Sequence, residues 1–161
     1  MHDFVIRIAT KRDIPAISRF GTPIARELDF YTKEHIARNV YELSVEDLLD
    51  TFKSKDSLIV AETKEGKIVG MIAHYPGLGH VDWLDWIIID KDYRRDGLGG
   101  AMMNFTIKEA KRHGCHKIWC DTHPKNTPVN GFLKKLGFRK VGILKKHSFK
   151  DDQLIWEKII G

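Results

Sequence analysis

The run from Val81 to Ala110 constrains this chain more than any other part of it. It reads as an apolar strand from Val81 to Asp90, then a glycine-rich turn, Arg94-Arg95-Asp96-Gly97-Leu98-Gly99-Gly100, then a helix, in direct succession. The strand ends in Ile87-Ile88-Ile89, an apolar run without alternation, which predicts burial on both faces and a central place in a sheet. From Gly97 onward, Leu98, Ala101, Met102, Phe105, Ile107 and Ala110 form an apolar stripe at helical spacing, and His113-Gly114 closes the helix. The first turn of a helix leaves backbone N–H groups without internal partners. These donors and the helix dipole attract anions. Gly97, Gly99 and Gly100 remove side chains, so a phosphate can approach the backbone. The dipole contributes only about 0.3–1 kcal/mol at an exposed terminus. Most of the affinity must then come from N–H hydrogen bonds and from charge-assisted bonds to Arg94 or Arg95. The segment is therefore expected to cradle the pyrophosphate of a cofactor. The alternative is a turn that only joins strand to helix.

Two better-known glycine loops do not fit. A dinucleotide fingerprint would need Gly or Ala where Met102 stands, and a Walker loop would need Lys where Ala101 follows Gly100.

The remaining pattern supplies a sheet for that central strand. Phe4 to Ala9 reads as a strand, and Thr10 with Asp13 forms a capping-box pair opening a helix through Ile17. Residues 21–52 are the least regular, with an interruption at Pro23, a helix near Lys33 to Tyr41, and another capped by Ser44. Leu58 to Thr63 and Lys67 to Tyr75 flank Lys64-Glu65-Gly66 as a hairpin, and Pro76 to Gly79 is a second turn. Lys117 to Thr122 is a strand, Pro128 to Leu136 a short helix, and Phe138 to Leu144 with Gln153 to Ile160 a final strand pair. Nothing marks a linker or repeat, so the expectation is one domain, residues 1–161, of mixed sheet and packed helices.

Composition narrows the class. Cys115 and Cys120 are the two cysteines, too few for a disulfide framework and not in a zinc-site spacing, so no metal is expected and a reducing, cytoplasmic setting follows. No segment approaches the roughly 20 apolar residues of a membrane span, and the N-terminus has no signal-peptide pattern. The net charge of +5 is scattered rather than clustered. That favours a small phosphorylated ligand over nucleic acid as the anionic partner. A homodimer is left open.

At this point the sequence resembles the GNAT family of N-acetyltransferases. Arg94-Arg95-Asp96-Gly97-Leu98-Gly99 matches its Arg/Gln-x-x-Gly-x-Gly/Ala signature, and Asn126-Thr127-Pro128-Val129-Asn130-Gly131-Phe132-Leu133-Lys134-Lys135-Leu136-Gly137-Phe138 resembles its Asn-x-x-Ala-x-x-x-Tyr-x-x-x-Gly-Phe segment. The resemblance implies an α/β (α+β) fold: a mixed, mostly antiparallel sheet of about seven strands flanked by about four helices. It implies acetyl-CoA as co-substrate and an amine of a small molecule or protein as acceptor. The backbone of Ile87, Ile88 and Ile89 would pair with the pantetheine arm, and the amides from Arg95 through Asp96, Gly97, Leu98 and Gly99 to Gly100 would hold the pyrophosphate. Asn126 would contact the cofactor, or else cap the helix that follows it.

Amine acetylation needs a base, and Asp121 and Asp85 are the carboxylate candidates, with His123 a third. The family's tyrosine, which protonates the leaving thiolate, falls on Leu133, which carries no proton. Cys120 and Tyr93 are the protic residues that could substitute. That departure keeps a second reading in view, a non-catalytic acyl-CoA sensor. The acceptor site is expected to draw on residues 21–52, the Pro76 to His80 turn and the last hairpin, with Asp29, Glu34 and Glu42 as acids able to attract a cationic amine. Trp83, Trp86, Trp119 and Trp156 are expected mainly in the core.

Overall fold

In the computed structural model, which describes residues 4–53 and 58–161, seven strands form one sheet. They are Phe4–Ile8 (β1), Leu58–Thr63 (β2), Ile68–Pro76 (β3), Val81–Ile89 (β4), Lys117–Thr122 (β5), Arg139–Ser148 (β6) and Asp151–Ile159 (β7). Their order is β1-β2-β3-β4-β5-β7-β6, so β4 is the central strand, as its isoleucine run predicts. Every neighbouring pair is antiparallel except β4 and β5, which run parallel. A parallel pair needs a long crossover, and the helix after the glycine-rich turn, Leu98–Arg112 (α4), supplies it.

Four further helices complete the fold: Ile14–Arg26 (α1), Lys33–Glu42 (α2), Val45–Phe52 (α3) and Thr127–Lys135 (α5). The total is five rather than the expected four or so, because residues 21–52 are regular after all. Pro23 does not interrupt α1; it sits inside it. Pro23 and Arg19, whose carbonyl loses its donor, both lie on the exposed stripe, so water can satisfy that carbonyl. Ile14, Ile17, Gly21 and Ala25 keep the opposite stripe buried. Thr32 and Ser44 accept hydrogen bonds from the His35 and Asp47 amides and so start α2 and α3 where the sequence marks them.

The sheet buries both faces. One cluster, with Ile59, Ile72, Leu84, Met102, Met103, Ile118, Cys120, Leu133 and Trp156, lies under α4 and α5. The other, with Ile14, Ile17, Leu43, Leu48, Met71, Ala73 and Ile88, lies under α1 to α3. The three isoleucines divide between them: Ile88 belongs to the second cluster, while Ile87 and Ile89 pack on the first. No helix among the described residues is long and apolar enough to cross a membrane.

Candidate active site

Two irregularities in β4 create the site. The first is its short pairing with β5. Only Val81, Asp82 and Trp83 are matched, to Lys117, Ile118 and Trp119. Beyond Trp83 the parallel strands diverge, and among the described residues the β5-facing edge of β4 from Asp85 to Ile89 has no strand partner. The second irregularity is a bulge: Ala73 opposes Trp86 and His74 opposes Leu84, which leaves Asp85 as the extra residue. A bulge breaks the alternation of side chains. Asp85 and Trp86, adjacent in sequence, therefore line the same cleft.

That cleft, about 210 Å³, lies between α2, α3 and the sheet. Leu48, Leu58, Met71 and Ala73 form an apolar floor; Tyr75, Trp83 and Trp86 are aromatic walls; Arg38, Glu42, Asp47 and Asp85 bring charge. Glu42 is fully engaged: Oε1 accepts from Arg38 Nε at 2.7 Å and Oε2 from Trp86 Nε1 at 3.2 Å. Burial pushes the Asp85 carboxyl up to about 7, and the nearby negative charges of Glu42, Asp121 and Asp47 add to the effect against a smaller opposing pull from Arg38. Asp121, half-buried on β5, is also shifted upward by burial, opposed by His147 and by a hydrogen bond from the Trp83 side chain. Trp83 stacks on Trp119 with centroids 6.0 Å apart, so the paired indoles stand where the strands begin to part. The negative charge of Asp121 thus reaches Asp85 across the β4–β5 divergence.

The glycine-rich turn sits at the C-terminal end of β4. Gly97 is the N-cap of α4 with φ +81°, and the first intrahelical bond runs from the Ala101 amide to the Gly97 carbonyl at 3.0 Å. The amides of Leu98, Gly99 and Gly100 come before it and are the donors a first turn leaves over. Side chains added at Gly97 or Gly100 would meet nothing within 4 Å, which is open space for a ligand. Gly99 differs. A Cβ there would lie 3.0 Å from Ile89 and 3.1 Å from Phe132, so the missing side chain at this position lets α4 pack against β4 and α5. Arg94 turns back, its Nε donating to the Ile89 carbonyl at 2.8 Å and tying the turn to the strand. Arg95 is exposed and holds a left-handed φ of +71°.

Asn126 occupies the N-cap of α5, yet its side chain makes no capping bond. The loop before it is held instead by Asn130, which donates to the His123 and Pro124 carbonyls and accepts from Thr122. His123 is buried in a structural network. Its Nδ1 accepts from the Lys125 amide at 3.1 Å, its Nε2 lies 3.8 Å from Asp151, and it stands outside the residues that line the Asp85 cleft. The candidate substitutes for the missing tyrosine fare no better. Cys120 faces the core, and burial pushes its thiol up; Tyr93 packs edge-on against Phe4. Leu133 is 1% exposed and belongs to the core under α4 and α5.

Of the acids expected at the acceptor site, Glu42 lines the cleft; Asp29 and Glu34 are exposed elsewhere. The Pro76 to His80 turn does not line it beyond the neighbouring Tyr75. Trp156 is a core residue, bonded to Thr122, whereas Trp83 and Trp86 are cleft walls. Arg38, Asp47 and Tyr75 were not singled out in the sequence. Asp47 lies in the first turn of the helix that Ser44 caps, and only the burial of its neighbour Leu48 in the cluster with Met71 and Ala73 brings it to the cleft. No group of His, Cys, Asp and Glu among the described residues could hold a metal ion.

Comparison with known proteins agrees with this geometry. The profile of the Acetyltransferase (GNAT) family matches residues 24–138. The ribosomal protein bS18-alanine N-acetyltransferase of Escherichia coli (strain K12) is 30% identical over 61 residues, which span 38% of this chain and 41% of that protein. The peptidyl-lysine N-acetyltransferase YjaB of Salmonella typhimurium is 28% identical over 104 residues, 65% of each chain. The PaiA N-acetyltransferase from Thermoplasma acidophilum, crystallised in complex with coenzyme A, shares the fold with a TM-score of 0.81 over 98% of this chain and 99% of its own, at 18% identity. The family profile covers well over half of the sequence and takes in the bulged strand, the divergence and the glycine-rich turn, and so this chain belongs to the GNAT family of acetyltransferases.

Proposed function

We propose that this protein transfers an acetyl group from acetyl-CoA to an amine, with Asp85 as the base. The observation that carries the reading is the divergence of β4 and β5 with Asp85 at its mouth and a donor-rich helix start at its far end. The residues fit the co-substrate on three counts. The free edge of β4 offers the N–H and C=O of Ile87 and the N–H of Ile89 to an extended pantetheine arm, as to an added strand, while the backbone of Ile88 faces β3. The amides of Leu98, Gly99 and Gly100, with those of Arg95, Asp96 and Gly97, suit a pyrophosphate, and Arg95 is placed to add a charged contact. The Asn126 carboxamide, which makes no cap bond, is available to the same ligand. Acetyl-CoA supplies the activated acyl group when bound.

The chain's own groups do the rest. The acceptor arrives as an ammonium, and Asp85 takes one of its protons, directly or through one water. The freed amine nitrogen forms the C–N bond to the acyl carbon as the C–S bond breaks. An N–H on the free β4 edge donates to the acyl oxygen as negative charge builds there. Asp121, coupled to Asp85, accommodates the second proton that the nitrogen releases. The coenzyme A sulfur leaves as thiolate and takes a proton from water, since Leu133 has none to give. A base pKa near 7 suits this work, because it balances availability of the anion against strength as an acceptor. Both cysteines are buried and free, in keeping with the reducing, cytoplasmic setting we propose.

Thiol release from acetyl-CoA, measured against a panel of amines and peptides, tests the reading. We expect turnover on at least one class of primary amine, with acetyl-CoA binding seen by calorimetry. Tight binding without turnover on any acceptor would assign the chain to acyl-CoA sensing instead.

A further inference from the structure

Resting on the acetyltransferase reading, we infer that the acceptor is a small aliphatic diamine bound as a dication along the α2–α3 cleft. Four charged side chains line that cavity, and two of them are satisfied. Arg38 and Glu42 pair at 2.7 Å, and the second Glu42 oxygen takes the Trp86 indole N–H. Asp85 and Asp47 are not satisfied in this way. Among the described residues, no hydrogen bond and no ion pair within 4.0 Å reaches either carboxylate, although both line the cleft and Asp85 is largely buried. Asp85, mostly withdrawn from solvent, gains from a cationic partner, and Asp47, partly exposed, adds a second negative charge to the same cleft. A ligand with two cationic groups matches both.

The geometry assigns an order to them. Asp85 stands at the β4–β5 divergence, so the ammonium that meets it is the one to be acetylated. Asp47, on the first turn of α3, meets the distal ammonium. Between them, Leu48, Met71 and Ala73 offer an apolar floor to a methylene chain, and Tyr75, Trp83 and Trp86 offer ring faces to the charged ends. The volume of about 210 Å³ lies below the roughly 300–1,000 Å³ of drug-sized sites, so the occupant is short and unbranched. A peptide acceptor brings backbone amides, for which this cleft of carboxylates and rings provides few partners.

The test compares putrescine and cadaverine with n-butylamine, an alanine-terminated peptide and a lysine peptide, in thiol release at fixed acetyl-CoA. The diamines should exceed the monoamine in kcat/KM by about tenfold or more, the equivalent of one partly buried ion pair. Asp47→Asn should remove that advantage by raising the diamine KM about tenfold or more relative to the monoamine KM. Titration of putrescine into protein loaded with coenzyme A, which has no acetyl group to transfer, should show the same loss of affinity. Equal kcat/KM for diamine and monoamine, or an Asp47→Asn effect equal on both, would overturn the proposal. So would preference for either peptide, and that outcome would leave the acetyltransferase reading intact. Absence of turnover on every acceptor, with acetyl-CoA still bound, would instead sink both.

Discussion

At the residue scale, Asp85 is the base we propose, and its environment makes the prediction quantitative. Its carboxyl is held near 7, against about 4 in an unfolded chain. The free enzyme's kcat/KM should therefore rise through a limb centred near pH 7 that Asp85→Asn abolishes, with turnover reduced by about 10²-fold or more. A mutant profile that kept the limb would pass the role to Asp121. The same shift has a stability consequence of known sign. A carboxyl whose folded pKa is raised binds its proton more tightly in the folded state, so stability is present below the unfolded pKa and is lost as pH climbs toward 7. Asp85→Asn should then be the more stable protein at pH 8, by about 1–3 kcal/mol in denaturant titrations, even as it loses activity. Leu133 makes the opposite point. Its side chain completes the core under α4 and α5, and a tyrosine there would have to bury its hydroxyl or displace its neighbours. Leucine at this position is thus a packing commitment, which is why the reaction we propose takes the thiolate's proton from solvent.

At the scale of elements, the start of α4 shows that glycines side by side serve different ends. Gly97 and Gly100 face open space, while Gly99 lets the helix lie against Ile89 and Phe132. A glutamate at Gly100 should weaken acetyl-CoA binding by about tenfold or more in calorimetry, since it sets a negative charge among the donors. It should leave the thermal midpoint nearly unchanged, because an acid in the first turn suits the dipole. Undiminished affinity would remove the turn from the pyrophosphate site. This element was legible in the sequence because its signal is local: a strand, three glycines and a helical stripe, all contiguous. The β4 bulge was not. Nothing in Leu84-Asp85-Trp86-Ile87 marks an extra residue, which exists only relative to the register of β3. Pro23 misled for a related reason. The penalty for proline inside a helix falls when the orphaned carbonyl faces water, and exposure is not written in the local sequence.

At the scale of the whole molecule, Asp151 joins parts that lie far apart in the chain. Its Oδ2 accepts from the Thr32 amide at 3.0 Å and hydroxyl at 3.1 Å and meets His35 Nδ1 at 2.8 Å, while His123 Nε2 lies 3.8 Å from Oδ1. The rings of Phe30, Tyr31, His35, His123 and Phe149 pack around this junction. Burial alone would raise the Asp151 carboxyl; hydrogen bonds from Thr32 and His35 outweigh it and hold the group below its usual range. A depressed carboxyl lends stability above its unfolded pKa and loses it as pH falls through the folded one. Urea unfolding from neutral pH down to about pH 3 should show that loss, and Asp151→Asn should flatten it while costing about 1–3 kcal/mol near neutrality. An unchanged pH dependence would show that the α1–α2 connection and the last hairpin are not held by this carboxylate. The sequence by itself determined the elements, the central strand and the glycine-rich turn, because those follow from side-chain period, caps and backbone freedom within a few residues. The tertiary structure alone decided that β4 and β5 part after Trp83, that Asp85 and Asp47 share a cleft, and that Leu133 and His123 are committed to packing and structure. Those outcomes depend on register and burial, which are set by residues distant in the chain and leave no mark on the residues they concern.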